Sequence, residues 1–78
     1  MSNRERRCSR KNRIAALEPG ERDYFEAPQG WARLMRTIGG ELIRLRPKRF
    51  QQQAIIGVVY ETRAVIDLVM VTRLPDSE

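Results

Sequence analysis

Two groups of cationic side chains are the residues of this sequence best equipped for chemistry, and the chemistry they suit is binding an oxyanion. The first group is Arg4, Arg6, Arg7, Arg10, Lys11 and Arg13, set against the single acid Glu5 within residues 1–13. The second is Arg33, Arg36, Arg44, Arg46, Lys48 and Arg49, and Glu41 is the only acid between Gln29 and Phe50. Arginine supplies thirteen of the fifteen basic side chains. Its planar fork makes paired hydrogen bonds to phosphate and stacks on bases, which a lysine ammonium does not. Segregated cations also neutralise a polyanion cheaply, because condensed counterions are released. Phosphate contacts are therefore expected from both groups. Gln51, Gln52 and Gln53, adjoining the second group, carry amides that suit base edges or 2′-hydroxyls.

Other site chemistries lack their residues. Histidine is absent and Cys8 is the only cysteine, so neither a soft-metal ligand set nor an intrachain disulfide can be assembled. No serine sits in a strained Gly-rich elbow, and Gly39-Gly40 is not followed by the Lys-Ser/Thr of a phosphate-binding loop. Glu18, Glu21, Asp23 and Glu26 lie close in sequence, but on a strand they read as solvent-facing charge rather than an oxygen-rich cation loop. A non-enzymatic protein without metal or cofactor is expected.

These residues must be positioned by a small body. The net charge is +5, and residues 1–13 carry all of it. That segment has no aliphatic run to bury, so it is expected to be a disordered basic arm, followed by one domain over 14–75 and a polar tail at 76–78. Leu17-Glu-Pro-Gly-Glu21 predicts a turn, with Pro19 setting the second residue and Gly20 accepting a positive φ at the third. Arg22–Ala27 predicts a first strand, with one of Tyr24 and Phe25 facing outward. Trp31, Leu34, Met35, Ile38, Leu42 and Leu45 recur at helical spacing and set Arg33, Arg36 and Arg44 on the opposite face. Gly39-Gly40 weakens that helix, and Pro47 ends it. The β-branched density of 54–74 predicts strands near Phe50–Tyr60 and Val65–Leu74, joined by a turn at 61–64.

The expected fold is α+β in the order β-α-β-β, one amphipathic helix on a short, mostly antiparallel sheet. Both long strands carry apolar residues on two faces, and one helix covers only one. The second face is therefore a candidate contact surface for a protein partner or a second copy of the chain. No signal peptide or membrane-spanning run is evident, and a cytoplasmic location is expected.

The Leu17–Glu21 entry, the Trp31–Leu45 helix, the Arg49-Phe50 strand start and the closing Val71-Thr-Arg-Leu74 resemble small uncharacterised proteins of bacterial viruses and mobile elements. That resemblance spans generic features and implies either a nucleic-acid binder or a stoichiometric inhibitor of host machinery; it assigns no site residue. The leading expectation is a non-enzymatic nucleic-acid-binding accessory or regulatory protein, for DNA or RNA. The alternative is a protein–protein interaction module that inhibits a host nucleic-acid enzyme or defence complex.

Overall fold

A computed structural model describes residues 9–76. In chain order the elements are helix α1 (Arg10–Ala15), strand β1 (Arg22–Glu26), helix α2 (Trp31–Ile43) and strands β2 (Phe50–Val58) and β3 (Val65–Arg73). The strands form one antiparallel sheet in the order β1-β3-β2, so the last strand in sequence is the middle one in space. This is the expected small α+β domain with one added helix.

The cross-strand register sorts side chains by face. Phe25 lies opposite Val69 and Asp23 opposite Val71 on one side of β3, and Ala54, Gln52 and Phe50 lie opposite Val69, Val71 and Arg73 on the other. These residues share the face covered by the helices. Ile14 from α1, Ile38 from α2, Val69 and Val71 are fully buried there, with Phe25 and Ala27 nearly so. Trp31, Leu34, Met35, Leu42 and Leu45 pack around them, which is the predicted helical stripe. Burying each aliphatic side chain contributes about 1.5–3 kcal/mol, so these few contacts carry much of the fold's stability. The Trp31 indole donates to the Ile55 carbonyl at 3.0 Å, and the Gln52 amide donates to the Met35 carbonyl at 3.1 Å. Both bonds tie α2 down to the edge strand β2.

No described element covers the opposite face of the sheet. Tyr24, Ile55, Ile66, Leu68 and Met70 alternate onto it and are half-buried or exposed, as a single helical layer requires. Gly57 opens space here, since a Cβ at that position would stand 2.8 Å from Leu68 Cδ1.

The local punctuation follows from residue type. Gly20 takes φ 91°, and the Glu21 amide donates to the Glu18 carbonyl at 2.9 Å, completing the predicted Pro-Gly turn. Gly30 caps α2 with φ 104°, a region that disfavours side chains. The β2–β3 turn has no glycine; Arg63 adopts φ 62° in its place, and its amide donates to the Val59 carbonyl at 2.7 Å. Gly39 and Gly40 do not break α2, and neither is demanded by close packing. A Cβ at Gly39 would meet only the Gln52 amide at 3.8 Å, and one at Gly40 would meet nothing within 4 Å.

The boundary of the arm needs correction. Residues 1–8, with Arg4, Arg6 and Arg7, lie outside the described residues, but the remainder of the expected arm is helical. Ser9 caps α1, its hydroxyl accepting from the Asn12 amide at 3.2 Å. A six-residue helix is too short to hold itself in water. Burial of Ile14 and two ion pairs anchor it, so the folded body reaches back to residue 9 rather than beginning at 14. At the other end, Asp76 is not a free tail residue, because its carboxylate meets Arg73 at 2.8 Å.

Candidate nucleic-acid interface

The exposed face of α2 and the loop that follows it form the cationic surface of the molecule. Arg33 and Arg36 project from the face opposite the buried stripe, and Arg44 caps the helix. Arg46, Lys48 and Arg49 are exposed on the way to β2, past the cis Arg46–Pro47 peptide. Helix C-termini favour cations, because the last carbonyls concentrate negative charge. None of these six side chains has a carboxylate partner among the described residues. The Lys48 ammonium donates to the Ala15 carbonyl at 3.0 Å, and one Arg49 guanidinium nitrogen lies 3.5 Å from the Pro75 carbonyl. Their charges are thus positioned by neutral oxygens and remain uncancelled.

The structure brings part of the expected arm to this surface. α1 lies beside the exposed side of α2, and an open cleft of about 680 Å³ separates them. Arg10, Lys11 and Arg44 line it together with Glu41 and Thr37. Arg10 also borders a smaller hollow of about 150 Å³ shared with Arg33. Arg10 and Lys11 therefore converge with Arg44 in one hollow, and Arg10 with Arg33 in the other, although the sequence separates the helices that carry them.

Convergence is not availability. Arg10 donates to both oxygens of Glu41, from Nε at 3.1 Å and from Nη2 at 2.6 Å. That hydrogen bonding raises the Arg10 pKa further above its ordinary value, against a smaller opposing effect of burial, and the Glu41 charge acts in the same direction. Arg13 makes the same two-bond fork to Asp23, at 3.0 and 2.8 Å, and its guanidinium lies 4.7 Å from the centre of the Phe25 ring. Two of the six arm cations expected to grip phosphate are therefore fastened to carboxylates of the body. Lys11 is exposed and has no such partner among the described residues.

The aromatic and amide expectations divide by face. Phe25 is buried and Tyr24 is 45% exposed on the uncovered face, so Tyr24 is the outward aromatic of the pair. Gln52 is turned inward onto Met35, whereas Gln51 and Gln53 are exposed.

One functional-looking residue is not singled out by the sequence. Arg73 is 7% exposed in the covered layer, next to Val71 and Val69 in alternation. It donates to the Leu17 carbonyl at 3.1 Å and to Asp76 at 2.8 Å, and its guanidinium lies 5.9 Å from the centre of the Phe50 ring. The alternation itself is the available signal, since it sets a cation on the apolar face.

Among the described residues, no three or more Cys, Asp or Glu side chains are grouped so as to hold a metal ion, and no helix is long and apolar enough to cross a membrane. Comparison of the chain with protein-family models, curated proteins and solved structures finds no match.

Proposed function

We propose that this protein is a non-enzymatic nucleic-acid-binding accessory or regulatory protein. The observation that carries the reading is the run Arg33, Arg36, Arg44, Arg46, Lys48 and Arg49, six exposed cations with no carboxylate partner among the described residues. A phosphate backbone supplies the missing anions at regular spacing. Arg4, Arg6 and Arg7 would extend the contact along the strand, with Lys11 at the junction.

Affinity for an oligonucleotide, measured across rising KCl, should fall with a log–log slope of about −0.9 per phosphate engaged on a duplex and about −0.7 on a single strand. A flat salt dependence, or no binding at low salt, removes the proposal.

A second reading has its own observation. Ile56, Val58, Tyr60 and Val65 are each more than half exposed at the β2–β3 hairpin end, with Tyr60 at 82%. An apolar end of this kind suits a protein partner, as an inhibitor of a nucleic-acid enzyme or defence complex would present. Retention of a specific host protein, with no oligonucleotide binding at moderate salt, would favour it.

A further inference from the structure

Beside the exit loop of α2, a cleft of about 430 Å³ is lined by Pro47, Lys48, Arg49, Arg73 and Asp76. Its three cations face one carboxylate. We infer that this cleft is a phosphate site, and that Asp76 occupies it as a built-in competitor for the phosphate of a bound nucleic acid. The source of that phosphate rests on the nucleic-acid reading above; the site itself rests on the geometry of the cleft.

Three features carry the inference. Arg73 is nine-tenths buried, and its orientation is fixed by the Leu17 carbonyl and the Phe50 ring. A guanidinium held this way is a preorganised donor and loses little freedom on meeting an anion. Its second outer nitrogen reaches a single oxygen of Asp76 at 2.8 Å, not the two-oxygen fork seen at Glu41 and Asp23. The Asp76 side chain is 69% exposed, so the contact stands at the mouth of the cleft, where water weakens it. Lys48 and Arg49 meet only carbonyl oxygens, at 3.0 and 3.5 Å. An aspartate therefore leaves two of three cations unmatched. A phosphate group, with more oxygens, would satisfy Arg73 and reach toward Lys48 and Arg49 together.

The same cleft explains why the folded body tolerates a buried arginine. Without an anion at its mouth, Arg73 would hold its charge in the apolar layer against one carbonyl. Asp76 supplies that anion in the free protein, and a nucleic-acid phosphate would take its place in the complex.

The test follows the backbone amides of the full-length protein by NMR during titration, first with inorganic phosphate and then with a short oligothymidylate. Phosphate should move the amides of Lys48, Arg49, Arg73 and Leu74. Asp76→Ala, which removes the competing carboxylate and leaves Arg73 only the Leu17 carbonyl, should tighten phosphate binding roughly three- to tenfold. Glu61→Gln makes the same change in net charge at the distant hairpin and should leave that affinity unchanged. Lys48→Gln combined with Arg49→Gln should abolish the phosphate shifts while Arg33 and Arg36 still respond to the oligonucleotide.

Amides of the cleft that stay unmoved by phosphate in both wild type and Asp76→Ala overturn the inference. So does equal tightening by Asp76→Ala and Glu61→Gln, which would make the effect one of net charge. Oligonucleotide shifts confined to α2 overturn the site but keep the nucleic-acid reading. Phosphate shifts in the cleft with no oligonucleotide binding anywhere uphold the site and overturn that reading.

Discussion

Along α1, Arg10 and Arg13 each clasp a carboxylate through two hydrogen bonds, and each carboxylate lies on another element of the body. At the far end of α2, Arg44, Arg46, Lys48 and Arg49 stand in solvent or against carbonyls, and none is ion-paired to a carboxylate among the described residues. Both regions are rich in arginine, yet one closes the fold and the other leaves it open to an anion. Charge density therefore does not by itself mark a binding surface. The surface proposed to bind differs in carrying charge that the body has not already cancelled.

Substitutions can break this contrast, and the largest effect should come from the most buried cation. Arg73→Leu should destabilise the protein by about 1–3 kcal/mol in urea unfolding, because the Leu17 carbonyl loses its donor, whereas the exposed Asp76 carboxylate returns to water. A loss well below that would class Arg73 with the exposed cations. Replacing Arg44, Arg46, Lys48 and Arg49 together by Gln should weaken oligonucleotide binding by at least about tenfold. The salt slope should flatten by about 0.9 for each duplex phosphate that is no longer neutralised. The unfolding midpoint should barely move; a large drop would show that the exit loop is structural after all.

Arg10→Gln is the converse experiment. It should cost about 1 kcal/mol of stability by releasing α1 from Glu41, with oligonucleotide affinity changed less than about twofold. Strong loss of affinity would mean that Arg10 exchanges Glu41 for phosphate on binding. The smallest effect is expected from Gly57→Ala on the uncovered sheet face. The added methyl would press on the flexible end of Leu68 and touch Ile66 Cγ1 at 3.4 Å, so stability should shift by about 1 kcal/mol or less and affinity should hold. Impaired binding would transfer the interface from the cations to the sheet.

Much of this arrangement is legible in the sequence where regular periodicity is long enough to read. The helical stripe from Trp31 to Leu45, the β-branched runs of β2 and β3, and the Pro19-Gly20 turn all appear as their residues predict. The exposed cations of α2 follow from the same stripe by exclusion. α1 cannot be read this way, because a six-residue helix with one buried side chain has no period to detect. Its stability comes from Glu41 and Asp23, 31 and 10 residues away, and only the folded chain brings those pairs together. The same limit applies to the β2–β3 turn, where an arginine adopts the positive φ that glycine usually signals.

The strand order has a consequence for how the molecule comes into being. β1, α2 and β2 all precede β3, yet both other strands hydrogen-bond to β3 and not to each other. A ribosome working from the amino end thus releases both helices and two strands before the strand that joins them. Until the first residues of β3 have emerged, Val58 and Gly57 have no Val65 and Ile66 to meet, and no part of the sheet can form. Native assembly should begin only with delivery of the central strand, pairing first with its hairpin neighbour β2 and then with the distant β1.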